Sequence, residues 1–174
     1  LALIMDGNRR LAHAHGLSVL QAHESGYQTF KKIVEYAFSK GIKIITVYAF
    51  STENWNRTPK EIQVLLSLFQ NALLKDVSRL CDNNIQVRFI GDIEKFGKKL
   101  SQGMHECVES TKNNTGGLLQ IAANYGGREE IIHAIKTIID TRLPSNTITE
   151  GLVSQYVYTH GVGDPDMVIR TSGE

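Results

Sequence analysis

The stretch IKIITVYAFSTENWNRTPKE, residues 42–61, changes character twice. Ile42 to Phe50 is nearly continuous in apolar, β-branched and aromatic residues, as in a strand buried on both faces of a parallel sheet. Ser51 to Arg57 is then polar. In TPKE, Thr58 can cap a helix, Pro59 suits its first position and Glu61 completes a capping box. Ile62, Leu65, Leu66, Phe69, Leu73, Val77 and Leu80 follow at three- and four-residue steps, which predicts the longest helix of the chain. Strand, polar loop and returning helix form one unit of an α/β fold.

The unit recurs on both sides. LALIM (residues 1–5) reads as a strand. GYQTFKKIVEYAFSKG (residues 26–41) puts Tyr27, Phe30, Val34, Ala37 and Phe38 on one helical face, with Gly41 as the stop. Downstream, IQVRFIGD is a strand, residues 96–112 a helix, NNTGG a turn and LLQIAANYGG a strand. Residues 128–141 form a helix carrying Ile131, Ile132, Ile135 and Ile138. A short helix over residues 150–159 and a last strand, MVIR, complete the series. The expectation is an α/β fold with a mostly parallel central sheet and helices on both faces, joined by right-handed crossovers.

At 174 residues and 41% hydrophobic content the chain supports one core, so residues 1–174 read as a single domain. Lys and Arg total 19 against 18 for Asp and Glu, which leaves no global basic field for nucleic acid. Anion recognition must be local. Cys81 and Cys107 have no ligand spacing and read as packing residues of a cytoplasmic protein. No run reaches the ~20 apolar residues of a membrane span. The sequence begins inside a strand and stops just after IRTSG, so it reads as truncated at both ends.

In open parallel sheets ligands bind beyond the carboxyl ends of the strands. Here those ends read DGNRR, STENWNR, GD, NYGGR and RTSGE, so the unusual polar clusters share one edge. Arg9, Arg10, Arg57 and Arg170 lie there and Arg128 follows. The guanidinium fork suits phosphate oxygens. Gly7, Gly126, Gly127 and Gly173 would let backbone amides approach an anion. The edge reads as a diphosphate cradle. Asp6 could neutralise the arginines or hold Mg²⁺ shared with phosphate. Asn8 and Asn54 could orient substrate or cap loops. His23 could be a capping residue or part of the cluster. Trp55, between Asn54 and Arg57 in a loop, reads as covering part of a binding site. Neither G-x-x-x-x-G-K-[ST] nor G-x-G-x-x-G follows the first strand, and G-x-S-x-G, C-x-x-C and H-E-x-x-H are absent.

IMDGNRR (residues 4–10), YAFSTENWNR (48–57), IAANYGGRE (121–129) and PDMVIRTSGE (165–174) resemble, in order and spacing, the signature blocks of the cis-prenyltransferases, the undecaprenyl diphosphate synthase family. The resemblance spans the chain. It implies a homodimeric isoprenyl transferase, cytoplasmic with peripheral membrane contact through its lipid product. Such an enzyme uses Mg²⁺ to condense isopentenyl diphosphate onto an allylic diphosphate such as farnesyl diphosphate, making cis double bonds and a polyprenyl diphosphate. An apolar tunnel is implied too, with Leu65, Leu68 and Phe69 as core or wall. Asp6 then matches the metal-binding, diphosphate-activating aspartate. Gly7, Asn8, Arg9, Arg10 and His23 match the allylic diphosphate site, and Ser51, Thr52 and Glu53 its lining. Asn54 matches a position that helps remove the proton from the incoming unit. Trp55 and Arg57 match substrate contacts, and Arg170 an isopentenyl diphosphate ligand.

Leu11 stands where the family usually has an aromatic residue, Val19 where many members have arginine, and Arg9 where glycine is common. The family also has a further C-terminal segment that completes the site, so a fragment ending at Glu174 is expected to be badly impaired and the full-length protein active. Two other readings remain: a non-catalytic partner subunit of a heteromeric cis-prenyltransferase, and a generic phosphate-ester-binding α/β domain. Retention of Asp6, Asn8, Arg10, Asn54 and Arg57 favours the enzyme.

Overall fold

Five strands, β1 (Ala2–Ile4), β2 (Ile44–Ser51), β3 (Ile85–Ile90), β4 (Gly117–Tyr125) and β5 (Val168–Arg170), pair in the order β3-β4-β2-β1-β5. Every pair is parallel. The computed structural model describes residues 1–172, with all side chains except those of residues 73–78. Gly173 and the stripe side chains Leu73 and Val77 therefore lie outside the described residues. The helices are α1 (Asn8–Ala14), α2 (Val19–Ser39), α3 (Pro59–Asp82), α4 (Lys98–Thr111), α5 (Gly127–Asp140) and α6 (Glu150–Val153).

Strand alternation sorts the core. Leu3, Ile45, Val47, Ile85 and Leu119 share one face and pack against Val34 and Ala37 of α2. Further along the same face, Phe50, Leu65, Phe96, Met104 and Ala123 form a second cluster. Val47 and Phe50 are three residues apart, so strict alternation would put them on opposite faces. The β2–β4 register shifts between Tyr48 and Ser51, which returns Phe50 to the α3 side. Its ring lies 5.1 Å from Trp55 and 5.2 Å from Phe96, centroid to centroid, both edge-on.

The opposite face bears Tyr48, Gln120 and Arg88. Tyr48 Oη donates to the Tyr125 carbonyl, Tyr125 Oη donates to Glu130 at the start of α5, and Arg88 donates to the His160 carbonyl. Helical segments thus cover both faces, as expected.

Three local expectations change. Thr58 caps α3 by accepting from the Glu61 amide, but the Glu61 carboxylate does not close a capping box; it binds Arg57 instead. Of the α5 stripe, Ile138 is core and faces inward with Glu130 and Ala134, while Ile131, Ile132 and Ile135, with Ile139, are 51–67% exposed. The short helix ends at Val153 rather than 159, because the Tyr158 amide donates to Glu130 and its ring stacks on His133. Cys81 and Cys107 are free thiols, and burial pushes that of Cys107 up to about 11. No helix among the described residues is long and apolar enough to cross a membrane.

Phe50 is 1% exposed at the centre of an aromatic cluster. Phe50→Ala is expected to cost about 3–5 kcal/mol, read as a lowered urea midpoint with an unchanged slope.

Candidate active site

The site begins where β1 ends. Gly7 has φ +93°, and a Cβ there would fall 2.4 Å from Ser172 Oγ, so this turn accepts only glycine without displacement. The tight turn aims the Gly7 amide at Asp6 Oδ1, 2.6 Å away, while Asp6 Oδ2 accepts from Arg170 Nη2 at 2.8 Å. The Arg170 hydrogen bond and then the Gly7 amide hold the Asp6 carboxyl below its ordinary range, so it is ionised at neutral pH. Thr171 fastens the same corner: its Oγ1 accepts from the Asp6 amide and donates to the Asp6 carbonyl.

Asn8 opens α1, and its Nδ2 lies 3.4 Å from His23 Nδ1 on α2. The close approach depends on Gly26, where a Cβ would stand 2.8 Å from Asn8 Oδ1. Burial lowers the His23 pKa first, the Arg57 charge lowers it further, and Glu61 opposes both. The imidazole is neutral at neutral pH, and its Nε2 is buried with no partner among the described residues. Glu61, itself buried, accepts from Arg57 Nη1 at 2.7 Å and sits 3.7 Å from Arg9 Nε. One carboxylate thus draws together two arginines from different elements. Arg57 and Glu61 are four residues apart, and that spacing was the available sign of their pairing.

These residues join two spaces. A polar pocket of about 590 Å³ is lined by Asp6, Gly7, Asn8, Arg9, Arg10, His13, His23 and Arg57. An apolar cavity of about 710 Å³ runs between α2, α3 and the sheet, lined by Phe30, Val34, Val47, Leu65, Leu68 and Phe69 among others. Asp6, Asn8, His23 and Arg57 border both. Ser51, Asn54 and Arg170 also reach the apolar cavity. Leu65, Leu68 and Phe69 are therefore wall residues. His13, absent from the sequence reading, lies one helical turn beyond Arg9 and Arg10, and that spacing could have found it.

Other expected residues lie apart. Trp55 borders neither space; its Nε1 donates to Asn124 Oδ1 at 2.7 Å and its ring packs on Phe50 and Phe96, which pins the loop from behind. Thr52 and Glu53 bond to each other and also border neither space. Gly126 makes room for Thr52, whose Oγ1 would be 2.6 Å from a Cβ there. Gly127 and Arg128 are exposed at the start of α5, outside both spaces.

Residues 4–174 match the model of the prenyltransferase family of undecaprenyl diphosphate synthases. The chain belongs to this family. It is 43% identical to an isoprenyl transferase of Clostridium tetani over an alignment that covers all of this chain and 70% of that protein. Identity is also 43% to the (2E,6E)-farnesyl-diphosphate-specific ditrans,polycis-undecaprenyl-diphosphate synthase of Buchnera aphidicola, with 100% and 71% coverage. Among solved structures, lavandulyl diphosphate synthase from Lavandula x intermedia, in complex with dimethylallyl diphosphate, superposes with a TM-score of 0.92 at 30% identity, covering 97% of this chain and 75% of that one. The class of activity is prenyl transfer by a cis-prenyltransferase.

His23 has a lower pKa folded than its ordinary unfolded value near 6.5. Below that value the unfolded chain binds the extra proton, so the His23 contribution to stability is complete above it and declines as pH falls toward the folded pKa. His23→Gln is expected to reduce the loss of stability between neutral and mildly acidic pH, measured as the change in urea midpoint.

Proposed function

We propose that this protein lengthens an allylic diphosphate, such as farnesyl diphosphate, with isopentenyl diphosphate in a Mg²⁺-dependent reaction that makes cis double bonds and yields a polyprenyl diphosphate. The supporting observation is the continuity of the two spaces: an arginine-lined pocket opens into an apolar cavity across Asp6, Asn8, His23 and Arg57. A molecule with an anionic head and a hydrocarbon tail fits both. Burial in the cavity favours the tail by roughly 0.8 kcal/mol per CH₂.

In the reaction the allylic carbon–oxygen bond breaks and diphosphate leaves. A bond forms from the allylic C1 to C4 of isopentenyl diphosphate, and a proton is lost from C2. Arg9, Arg10 and Arg57 oppose the charge developing on the leaving group. Gly7 lets the chain turn tightly under it, and Asn8, held by His23, borders the departing oxygens. Neutral His23 can hydrogen-bond through Nε2 without adding a cation. Asn54 stands at the cavity mouth with Oδ1 accepting from the Ser51 amide, which leaves its NH₂ to orient the incoming unit for proton loss. The released diphosphate can take up that proton. Arg170 serves the isopentenyl diphosphate. Ser51 lines the allylic site, and Thr52, Glu53 and Trp55 hold its loop.

Asp6 fits Mg²⁺. Its carboxylate is partly exposed at the pocket, and no cluster of three His, Cys, Asp or Glu suited to a metal occurs among the described residues. Mg²⁺ characteristically binds through one or two carboxylates with substrate phosphates. Bound at Asp6, it would supply positive charge to the leaving diphosphate.

We propose that the exposed isoleucines of α5 are the apolar face on which a second copy docks to make a homodimer. The lipid tail of the product brings the enzyme against the membrane surface.

Full-length protein given farnesyl diphosphate, labelled isopentenyl diphosphate and Mg²⁺ is expected to incorporate label, with loss on chelation. Asp6→Ala is expected to lower incorporation by roughly 10²-fold or more with an unchanged circular dichroism spectrum. No incorporation by the full-length protein, alone or with a partner subunit, overturns the proposal. Ile132→Glu is expected to move the sedimentation mass from dimer to monomer.

A further inference from the structure

The apolar cavity carries a charged pair deep along its length. α2 and α3 both run from the phosphate edge toward the amino ends of the strands. His23 and Glu35 are twelve residues apart on α2, about 18 Å at 1.5 Å per residue. At that depth Glu35 Oε1 meets Arg79 Nη2 of α3 at 2.8 Å, so the pair bridges the two helices that wall the cavity. Both residues line it, with Lys31 one turn nearer the mouth and Asn83 one turn beyond. Phe38 and Leu80 are their apolar neighbours there. The side chains of Glu35 and Arg79 are 44% and 54% exposed, so the pair bridges the helices with one side in water, one turn before Ser39 and Asn83 at the deepest part of the lining.

A hydrocarbon tail can displace apolar side chains at little electrostatic cost. Passing between a carboxylate and a guanidinium removes their contact and strips water from both, which hydrocarbon cannot replace. The pair itself adds little to the stability of the fold, as exposed ion pairs usually do. It is therefore able to part without unfolding the helices it joins. Neither residue touches the pocket at Asp6, so altering them leaves the chemistry in place.

We propose that the Glu35–Arg79 ion pair is the closure that sets product length: the growing tail advances down the cavity until it meets this pair, and elongation slows there. The inference rests on the prenyl-elongation reading. It assigns a specificity role to two residues outside the diphosphate site.

The test uses full-length protein with farnesyl diphosphate, labelled isopentenyl diphosphate and Mg²⁺. Products are dephosphorylated and sized by mass spectrometry, and the first addition is timed separately. Glu35→Ala and Arg79→Ala are each expected to shift the products longer by one or more isoprene units, with the first addition unchanged within about twofold. The charge-swapped double variant, Glu35→Arg with Arg79→Glu, is expected to restore the original lengths. Circular dichroism of each variant establishes folding. Unchanged lengths with intact incorporation overturn the closure alone. Lengthening that the swap fails to reverse also overturns it, since bulk rather than the pair would then set the limit. Absence of incorporation by the unaltered protein overturns the elongation reading and this inference with it.

Discussion

The parallel register of β1 with its two neighbours governs the site. Ile4 pairs with Tyr48 on one side and Arg170 on the other, so β1 and β5 finish at one level while β2 runs on to Ser51. Asp6 then emerges two residues beyond the last pair, beside the loop after β2 and within reach of Arg170. A one-residue slip would turn Leu3 out of the core and send Arg170 to the other face. β1 is only three residues long, and its position depends on being paired on both edges. Thr171 adds the hydrogen bonds that hold its end closed against β5.

Charge at this edge is arranged around two carboxylates with different surroundings. Glu61 is buried and bonds Arg57, with Arg9 close by; Asp6 is partly exposed and bonds Arg170. The first arrangement positions cations, and the second leaves an anionic oxygen in contact with the pocket. His23 lies between them and burial keeps it neutral, so the pocket retains net positive charge without a further cation in its wall. The apolar cavity begins directly behind these groups. Head-group charge and tail burial are thereby separated along one path.

Much of this was legible locally. Alternation, helical spacing and Thr58-Pro59 gave the order of strands and helices, and the polar clusters at strand ends gave the edge at which Asp6, Asn8, Arg10, Asn54, Arg57 and Arg170 meet. Other features depended on distant partners. Trp55 looked like a lid because its loop is polar, yet Asn124 and Phe50 hold it from the core side. Glu61 looked like a cap because of its distance from Thr58, but the nearby guanidinium is the stronger partner. Most isoleucines of α5, Ile131, Ile132, Ile135 and Ile139, face outward and only Ile138 is core, because Glu130 is tied inward by Tyr125 and Tyr158 and thereby fixes the rotation of the helix.

The sequence by itself determined an alternating α/β chain with its phosphate-binding chemistry at the carboxyl ends of the strands, since side-chain periodicity and caps act over only a few residues. The tertiary structure decided which of those residues face a common space. It also decided that α2 and α3 enclose a cavity and that Glu35 and Arg79 meet deep along it. Such outcomes depend on strand register, the shift that reorients Phe50 and the packing of residues far apart in the chain, which local spacing does not specify.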